Sequence, residues 1–449
     1  MRIAKALLVI TFVAVGGSAS PGCNPNSFNS VSDKAPVLSF SASGSSTGSL
    51  FVLPLTPPDP STGIAARMLV SREDSRYLAV ADYDTAGKVT LHEPSTAEYD
   101  SLGDVAVTSM AERADGTGTI LLGMPGYGGG TSPAGRVSTL TLTTQANGSI
   151  GFGIQPSIQG AAAGGGHLGI SVAAGNLSGI SGDSYSVAVS DTNVQVVSAD
   201  GMRSASSDPT TCQQYLSLAN AYAFRPVVVA NLFGTDIADT SDEIVLSGYI
   251  SGIGGIVVSL TYTNGSNVLK CRKIFSQSLP TFGASLAAGD FDGDGHLDLA
   301  VGSPPDTVYV YFGPLDKVTD PLAADVTIYS STGKAFGQRV ATYQLPGQAA
   351  QLLVSDPTAS VGQGGKVGKV MLFNITRGIP TMSTADAVAT LFDSNGGSNF
   401  GAVSLGGLPF NTCIGTTQLV PWVSTNTELL TFFNYSNPAS PVADPRCFK

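Results

Sequence analysis

Residues 290–298 read Asp-Phe-Asp-Gly-Asp-Gly-His-Leu-Asp. Carboxylates stand at the first, third, fifth and ninth places of this stretch, and a glycine stands at the sixth, where a calcium loop must turn sharply. Ca²⁺ is a hard cation that takes roughly six to eight oxygen ligands. The spacing therefore predicts a calcium loop with the following ligands: Asp290, Asp292, Asp294, the backbone carbonyl of His296, and Asp298.

The sequence around this loop predicts strands rather than the two helices of an EF-hand. An EF-hand needs a glutamate at the twelfth place, which is Val301 here. The runs on either side of the loop are apolar and have strand character. The unit from Phe282-Gly283 to Gly302-Ser303-Pro304 resembles the FG-GAP repeat of the integrin α-subunit β-propeller, with Ser303 where that repeat has alanine. The resemblance implies a β-propeller fold.

Weaker copies of this unit recur at intervals of about 60 residues. They begin at Leu102-Gly103, Leu168-Gly169, Phe224-Arg225, Phe336-Gly337 and Phe400-Gly401, with a further copy near Gly63. Each copy carries apolar runs for three or four strands, so we predict an all-β, seven-bladed β-propeller that occupies residues 37–449 as one domain. The last copy is short, and we expect residues 37–55 to supply its missing strand and close the ring.

The composition of the chain agrees with this fold and disfavours one class of partner. Charged residues make up only 12% of the chain, while glycine (54) and proline (26) are abundant, as expected for many short strands joined by tight turns. The formal net charge is −11. An acidic chain repels a phosphate backbone, so we predict no nucleic-acid partner.

The N-terminal sequence predicts export. Residues 1–22 have a basic start, an apolar run and then small residues, which is the pattern of a signal peptide. Two outcomes of processing stay open. Cleavage before Cys23 would give a lipoprotein of the cell envelope, held at the outer membrane or cell surface with residues 23–36 as a flexible tether. Cleavage after Ala19 would give a secreted protein, which would fractionate away from membranes.

The number of cysteines bears on the same question. The chain has five, and an odd number in an exported protein leaves one over. Lipid attachment to Cys23 would leave four. Pairing between neighbours in sequence then predicts the disulfides Cys212–Cys271 and Cys413–Cys447, which is one of three connectivities that four cysteines allow.

A second and weaker cation site is predicted in the fourth unit, where an asparagine takes the position of Asp290. Several oxygen donors follow it, although their spacing differs from that of the first loop: Asn231, Asp236, Asp239 and Asp242. We expect Ca²⁺ to have a structural role at these loops, since a cation between two strands neutralises and rigidifies an acidic turn.

No pattern in the sequence predicts an enzyme. The three histidines, His92, His167 and His296, lie far apart, and none belongs to a metal-binding or nucleophile-activating motif. The single Gly-x-Ser-x-Gly match, at residues 44–48, lies in a Ser/Gly-rich stretch rather than on a strand-to-helix elbow.

The family resemblance implies a binding function instead. Integrin-type propellers bind protein ligands on the rim opposite their calcium loops, so we expect a monomeric binding or adhesion module for a protein or glycan. Long loops on a rigid scaffold are the usual place for such binding, and residues 125–136 and 203–215 are the candidates. Two alternatives stay open: a propeller-based hydrolase or lyase acting on polysaccharide or lipid, and a purely structural surface protein.

Overall fold

The computed structural model describes residues 30–31, 35–39 and 49–431, the last range with gaps, of which the longest is 208–225. The described residues form 31 strands, one seven-residue α-helix and short 3-10 turns. The prediction of an all-β chain is therefore confirmed. Two strands precede the repeats: β1 (Ser30–Val31) and β2 (Ala35–Ser39).

Six blades are each built from four antiparallel strands that come from one continuous stretch of chain. The strands of blade I are β3 (Leu50–Leu55), β4 (Ile64–Arg72), β5 (Leu78–Asp84) and β6 (Val89–His92). Those of blade II are β7 (Ser109–Glu112), β8 (Thr119–Met124), β9 (Arg136–Thr144) and β10 (Ile150–Gln159). Those of blade III are β11 (Ser171–Gly175), β12 (Tyr185–Val189), β13 (Val194–Ser198) and β14 (Gly201–Arg203), and β15 (Ser206–Ser207) follows.

The next three blades repeat this order. The strands of blade IV are β16 (Val227–Ala230), β17 (Glu243–Ile250), β18 (Gly254–Thr263) and β19 (Val268–Gln277). Those of blade V are β20 (Ser285–Gly289), β21 (Asp298–Ser303), β22 (Thr307–Tyr311) and β23 (Val326–Tyr329). Those of blade VI are β24 (Val340–Tyr343), β25 (Gln351–Asp356), β26 (Lys369–Phe373) and β28 (Ala389–Leu391), with β27 (Thr381–Ser383) between the last two in sequence.

The remaining sheet, here called the composite sheet, is assembled from both ends of the described chain. It contains β29 (Leu405–Asn411), β30 (Thr417–Ser424) and β31 (Glu428–Thr431), and β2 adds to β31 in antiparallel register, with Ala35 opposite Thr431 and Ser39 opposite Glu428. The prediction of seven blades, one from each repeat, is thus corrected: six blades are built in that way.

Two further predictions about the first repeat are corrected. The segment 37–55 does not act as one closing strand, because only Ala35–Ser39 joins the composite sheet, whereas Leu50–Leu55 is β3. The copy predicted near Gly63 begins earlier, at β3, and Gly63 lies in the loop before β4. The weak sequence pattern of this repeat thus predicts its start one strand too late.

The sheets form a ring through their innermost strands. Each innermost strand contacts the innermost strand of the next sheet, in the order β3, β7, β11, β16, β20, β24 and β29, and β29 returns to β3. A cavity of about 180 Å³ lies on the axis of this ring. Its wall takes residues from every sheet: Phe51, Ser109, Ser171, Pro226, Ser285, Val340 and Val403. The predicted β-propeller arrangement is therefore confirmed.

Apolar contacts between neighbouring sheets provide the core. Several central strands are buried along their whole length, including β12, β21 and β25, because each blade is covered on both faces by its neighbours. One cluster joins blades V and VI and contains Phe336 and Phe373, whose rings meet edge to face at 6.4 Å. Another joins the composite sheet to blade I through Trp422 and Leu50.

Short parallel strands cover three outer edges of the ring. β1 pairs with β28 of blade VI, β15 pairs with β19 of blade IV, and β27 pairs with β23 of blade V. An uncovered edge strand presents unpaired N–H and C=O groups to other chains, so these additions protect the blades from edge-to-edge association.

The one α-helix among the described residues, α1 (Thr96–Leu102), connects blades I and II and was missed by the strand-based interpretation. Its signal is a capping box: the backbone N–H of Glu98 donates to Ser95 Oγ, and the backbone N–H of Ser95 donates to the Glu98 carboxylate at 2.6 Å. The pattern Ser-x-x-Glu was therefore present in the sequence.

Candidate metal centre

The acidic loop of blade V joins its two innermost strands. β20 ends at Gly289 and β21 begins at Asp298, so the loop lies at the end of the ring opposite the Phe282-Gly283 turn. Asp290, Asp292 and Asp294 each offer a carboxylate oxygen, and these three oxygens lie within 4.8 Å of one another. The structure thus brings together three of the predicted ligands, and this group could hold a metal ion.

Backbone hydrogen bonds shape the loop around these carboxylates. The two oxygens of Asp290 accept from the N–H groups of Gly293 (2.7 Å) and Gly295 (3.0 Å). Both glycines have positive φ values, 81° and 88°, which a residue without Cβ adopts readily. The glycines that alternate with the aspartates therefore permit the tight turn, while the aspartates supply its negative charge.

Asp292 and Asp294 each use one carboxylate oxygen in the same way. Asp292 Oδ1 accepts from the N–H of Asp294 (3.1 Å), and Asp294 Oδ1 accepts from the N–H of His296 (2.9 Å). The second oxygen of each carboxylate, Oδ2, is turned away from these backbone donors. His296 lies within the loop, and the role of its backbone carbonyl as a calcium ligand stays a prediction.

Asp298 takes a different position from the three clustered aspartates. Its side chain is fully buried, and its two oxygens accept from the N–H groups of Phe291 and Gly313, each at 2.8 Å. Burial raises the pKa of Asp298 to about 7, although these two hydrogen bonds oppose the shift. Asp298 therefore ties the loop to the strand after it and to the connection after β22.

A positively charged side chain that the sequence does not predict lies against the three carboxylates. Arg377, from the segment between β26 and β27, donates through Nε to Asp292 Oδ2 and through Nη2 to Asp294 Oδ2 at 2.5 Å. Its guanidinium also lies 4.9 Å from the centre of the Phe312 ring, and Nη2 donates to the carbonyl of Gly313 at 3.3 Å. No local signal could have revealed this residue, since about eighty positions separate it from the aspartates.

The donor set fits a hard divalent cation. All three converging side chains are carboxylates, and oxygen ligands of this kind suit Ca²⁺ or Mg²⁺ rather than the softer metals that prefer nitrogen and sulfur. The negative charge of the three aspartates is only partly offset by the single positive charge of Arg377. The residues present are therefore compatible with the predicted Ca²⁺.

The loop of blade IV is arranged differently. Glu243 is the first residue of β17, as Asp298 is the first residue of β21. The Glu243 carboxylate accepts from the N–H of Leu232 at 3.0 Å, in the same way that the Asp298 carboxylate accepts from the N–H of Phe291. Its other oxygen is paired with Arg272 Nη1 at 2.9 Å, and the Arg272 guanidinium lies over the Phe233 ring. An internal arginine thus supplies positive charge directly at the acidic residue of this loop.

Only part of the predicted second site lies within the described residues. Asn231 Oδ1 accepts from the N–H of Gly234, and Asp242 Oδ2 accepts from the N–H of Asn176 in blade III at 2.7 Å. Burial raises the pKa of Asp242. Asp236 and Asp239 lie outside the described residues. The second calcium site therefore stays a prediction, and the described part of the loop is linked to the neighbouring blade.

The other predicted residues are placed as follows. Cys271 is disulfide-bonded. Cys23, Cys212, Cys413 and Cys447 lie outside the described residues, so both pairings and the lipid attachment stay predictions. His92 lies 3.3 Å from the carboxylate of Asp82, which also pairs with Arg67 at 2.6 Å.

The fold and the loop together define a class: a β-propeller with an acidic turn between the first two strands of a blade. The FG-GAP repeat family matches residues 282–312, which contain that turn and the strands β20 to β22. The chain is therefore a β-propeller that contains one FG-GAP repeat. No curated protein matches the chain. Within the described residues, no helix has both the length and the apolar character to cross a membrane.

Proposed function

We propose that this protein is an exported, calcium-stabilised FG-GAP β-propeller that acts at the cell envelope as a binding or adhesion module for a protein or glycan. The observation that carries the proposal is the group of three carboxylates within 4.8 Å on the loop between β20 and β21. A scaffold of packed blades with a cation-tied turn is suited to holding its connecting loops in fixed positions.

The chain's own residues define what a cation would do here. Asp290, Asp292 and Asp294 would supply carboxylate oxygens, while Asp298 holds the loop to β21 through the N–H of Phe291. Bound Ca²⁺ would supply positive charge and hold the three aspartates of the loop together. Since the loop joins the two innermost strands of blade V, its rigidity bears on the whole blade.

Calcium should therefore raise the thermal stability of the purified protein. At a hundredfold excess over Kd, a ligand that binds only the folded state stabilises it by about 2.7 kcal/mol. We expect a rise in Tm on adding CaCl₂ after chelation, and we expect Asp292→Ala/Asp294→Ala to abolish it. A matched control, Asp100→Ala/Asp306→Ala, removes two exposed aspartates elsewhere and should keep the rise. If the Tm of the wild-type protein does not change on adding CaCl₂, calcium stabilisation is refuted.

The surface for a partner is proposed at the end of the ring opposite the acidic loop. The connection between β8 and β9 of blade II emerges there, because β8 runs away from the end at which the acidic loop lies. Tyr127 in this connection lies under the guanidinium of Arg136 at 4.8 Å, and Arg136 is buried. The base of the connection is thus anchored to the blade, which is the usual arrangement of a binding loop.

This proposal predicts binding by the intact protein to at least one member of an immobilised panel of glycans and extracellular-matrix proteins. A variant lacking residues 128–132 should lose about tenfold in affinity for that probe while its Tm stays close to wild type. Absence of binding across the panel would reject the binding module in favour of a purely structural protein. Turnover of a polysaccharide on the panel would instead support the hydrolase alternative.

Two finer features belong to the same proposal. The composite sheet closes the ring between blade VI and blade I. This is supported by Ser404 Oγ, which donates to the carbonyl of Leu50 in blade I at 3.4 Å, and by Arg339 Nε of blade VI, which donates to the carbonyl of Val403 at 3.0 Å. Export through residues 1–22 and attachment through Cys23 would place the ring at a membrane surface. Recovery of a Cys23→Ser variant in the same membrane fraction as wild type would exclude the lipid attachment.

A further inference from the structure

Arg377 reaches the acidic loop of blade V from a segment of blade VI. This segment leaves β26 at Phe373 and continues into β27, which pairs with β23 of blade V in parallel register, Thr381 opposite Thr327. The chain therefore crosses from one blade to the next between residues 374 and 381. Arg377 lies in the middle of this crossing, so the fold itself brings its side chain to the loop.

The hydrogen bonds at the loop divide the carboxylate oxygens into two sets. In Asp292 and Asp294, the Oδ1 atoms accept from backbone N–H groups, whereas both Oδ2 atoms accept from Arg377. The oxygens that the backbone leaves for an external cation are therefore the ones that the guanidinium occupies. A divalent cation bound by these oxygens would meet a positive charge at contact distance, and like charges so close repel strongly.

The surroundings of Arg377 allow its departure. Its side chain is 52% exposed, so a guanidinium released from the aspartates can return to water without a large desolvation cost. Its remaining contacts, with the Phe312 ring and the Gly313 carbonyl, lie beside the loop rather than in it. A buried arginine in this place would act as a permanent counter-ion, whereas this one can exchange.

We propose that Arg377 is an internal competitor of the cation: it pairs with Asp292 and Asp294 when no cation is bound and is displaced when Ca²⁺ binds. The proposal rests on the calcium site proposed above. Arg377 thereby keeps the loop folded in the absence of calcium and raises the calcium concentration at which the site fills. Calcium binding also releases the crossing segment from one of its attachments to blade V.

The test is a calcium titration of chelator-treated full-length protein by calorimetry, with wild type, Arg377→Gln and Lys334→Gln. We expect Arg377→Gln to bind Ca²⁺ about tenfold more tightly, a coupling of ordinary size between two sites. Lys334→Gln removes the same charge from an exposed side chain at the opposite end of the ring and should leave Kd within about twofold of wild type.

A second readout separates displacement from a general charge effect. In chelator, Arg377→Gln should have a lower Tm than wild type, because both aspartates lose their partner. In saturating CaCl₂ this deficit should disappear, because wild type has by then released the arginine too. A deficit of equal size in both conditions, or an unchanged Kd, would overturn the competition.

The outcomes also distinguish this inference from the calcium site itself. If wild type binds Ca²⁺ and Arg377→Gln binds it no better, the site stands and the competition is wrong. If only Arg377→Gln binds Ca²⁺, the competition is supported and the arginine dominates in the native chain. If neither protein binds Ca²⁺, both proposals are overturned.

Discussion

Deletion of residues 35–39 is expected to lower the free energy of unfolding by about 2–6 kcal/mol. The deletion removes β2, which forms four residue pairs with β31 in the composite sheet. A backbone hydrogen bond contributes a net of about 0.5–1.5 kcal/mol, so roughly four of them give this range. The loss of these hydrogen bonds should destabilise the whole ring, because the composite sheet contacts both blade VI and blade I through β29.

The deletion also exposes a strand edge. β31 would become an unpaired edge strand at the point where the two ends of the chain meet, and such edges promote association between molecules. Urea denaturation followed by circular dichroism would measure the change in midpoint and in its slope. Deletion of residues 24–29 is the control, since it leaves β1 and β2 in place. Equal midpoints for the deletion and wild type would show that the ring does not depend on β2.

Gly302→Ala is expected to destabilise the protein by about 3 kcal/mol or more. A Cβ atom at Gly302 would lie 2.1 Å from the carbonyl oxygen of Gly337 and 2.2 Å from Ser285 Oγ. The first of these atoms belongs to the backbone of the next blade, so a change of rotamer cannot relieve the overlap. Overpacking of this kind typically costs about 1–3 kcal/mol and sometimes more.

Gly302 lies where the turns of two blades meet. Its carbonyl accepts from the N–H groups of Gly283 and Ala284 in its own blade, while Ser285 Oγ donates to the Gly337 carbonyl of blade VI at 2.9 Å. An added methyl group would therefore force blade V away from blade VI at this contact. The glycine of the Gly-Ser-Pro end of the repeat is explained by this contact.

Gly126→Ala is the matched control for this substitution. Neither Gly302 nor Gly126 has a positive φ, so alanine can adopt the folded backbone conformation at both positions. The change from glycine to alanine also restricts the unfolded chain to a similar extent in both variants. At Gly126 the nearest atom to an added Cβ is Val105 Cγ1, at 3.9 Å. Comparison of urea midpoints would isolate the packing cost, and similar midpoints for the two variants would contradict the close approach of the blades.

The sequence predicted those parts of the site whose atoms are close along the chain. Asp290, Asp292 and Asp294 converge because they occupy alternate positions of one tight turn, and the glycines between them permit that turn. The nine-residue motif also predicted the strands on either side and, through the repeat it belongs to, the propeller. These features depend on local backbone geometry, which spacing and residue type specify.

The tertiary structure alone decided the features that join distant segments. Arg377 reaches Asp292 because the chain between β26 and β27 crosses from blade VI to blade V, and no sequence spacing records that crossing. In the same way, the arginine at Glu243 comes from another strand of its own blade, and β2 completes a sheet whose other strands lie almost four hundred residues later. Contacts of this kind depend on how the ring closes, because packing between blades selects partners by position in space rather than by position in the chain.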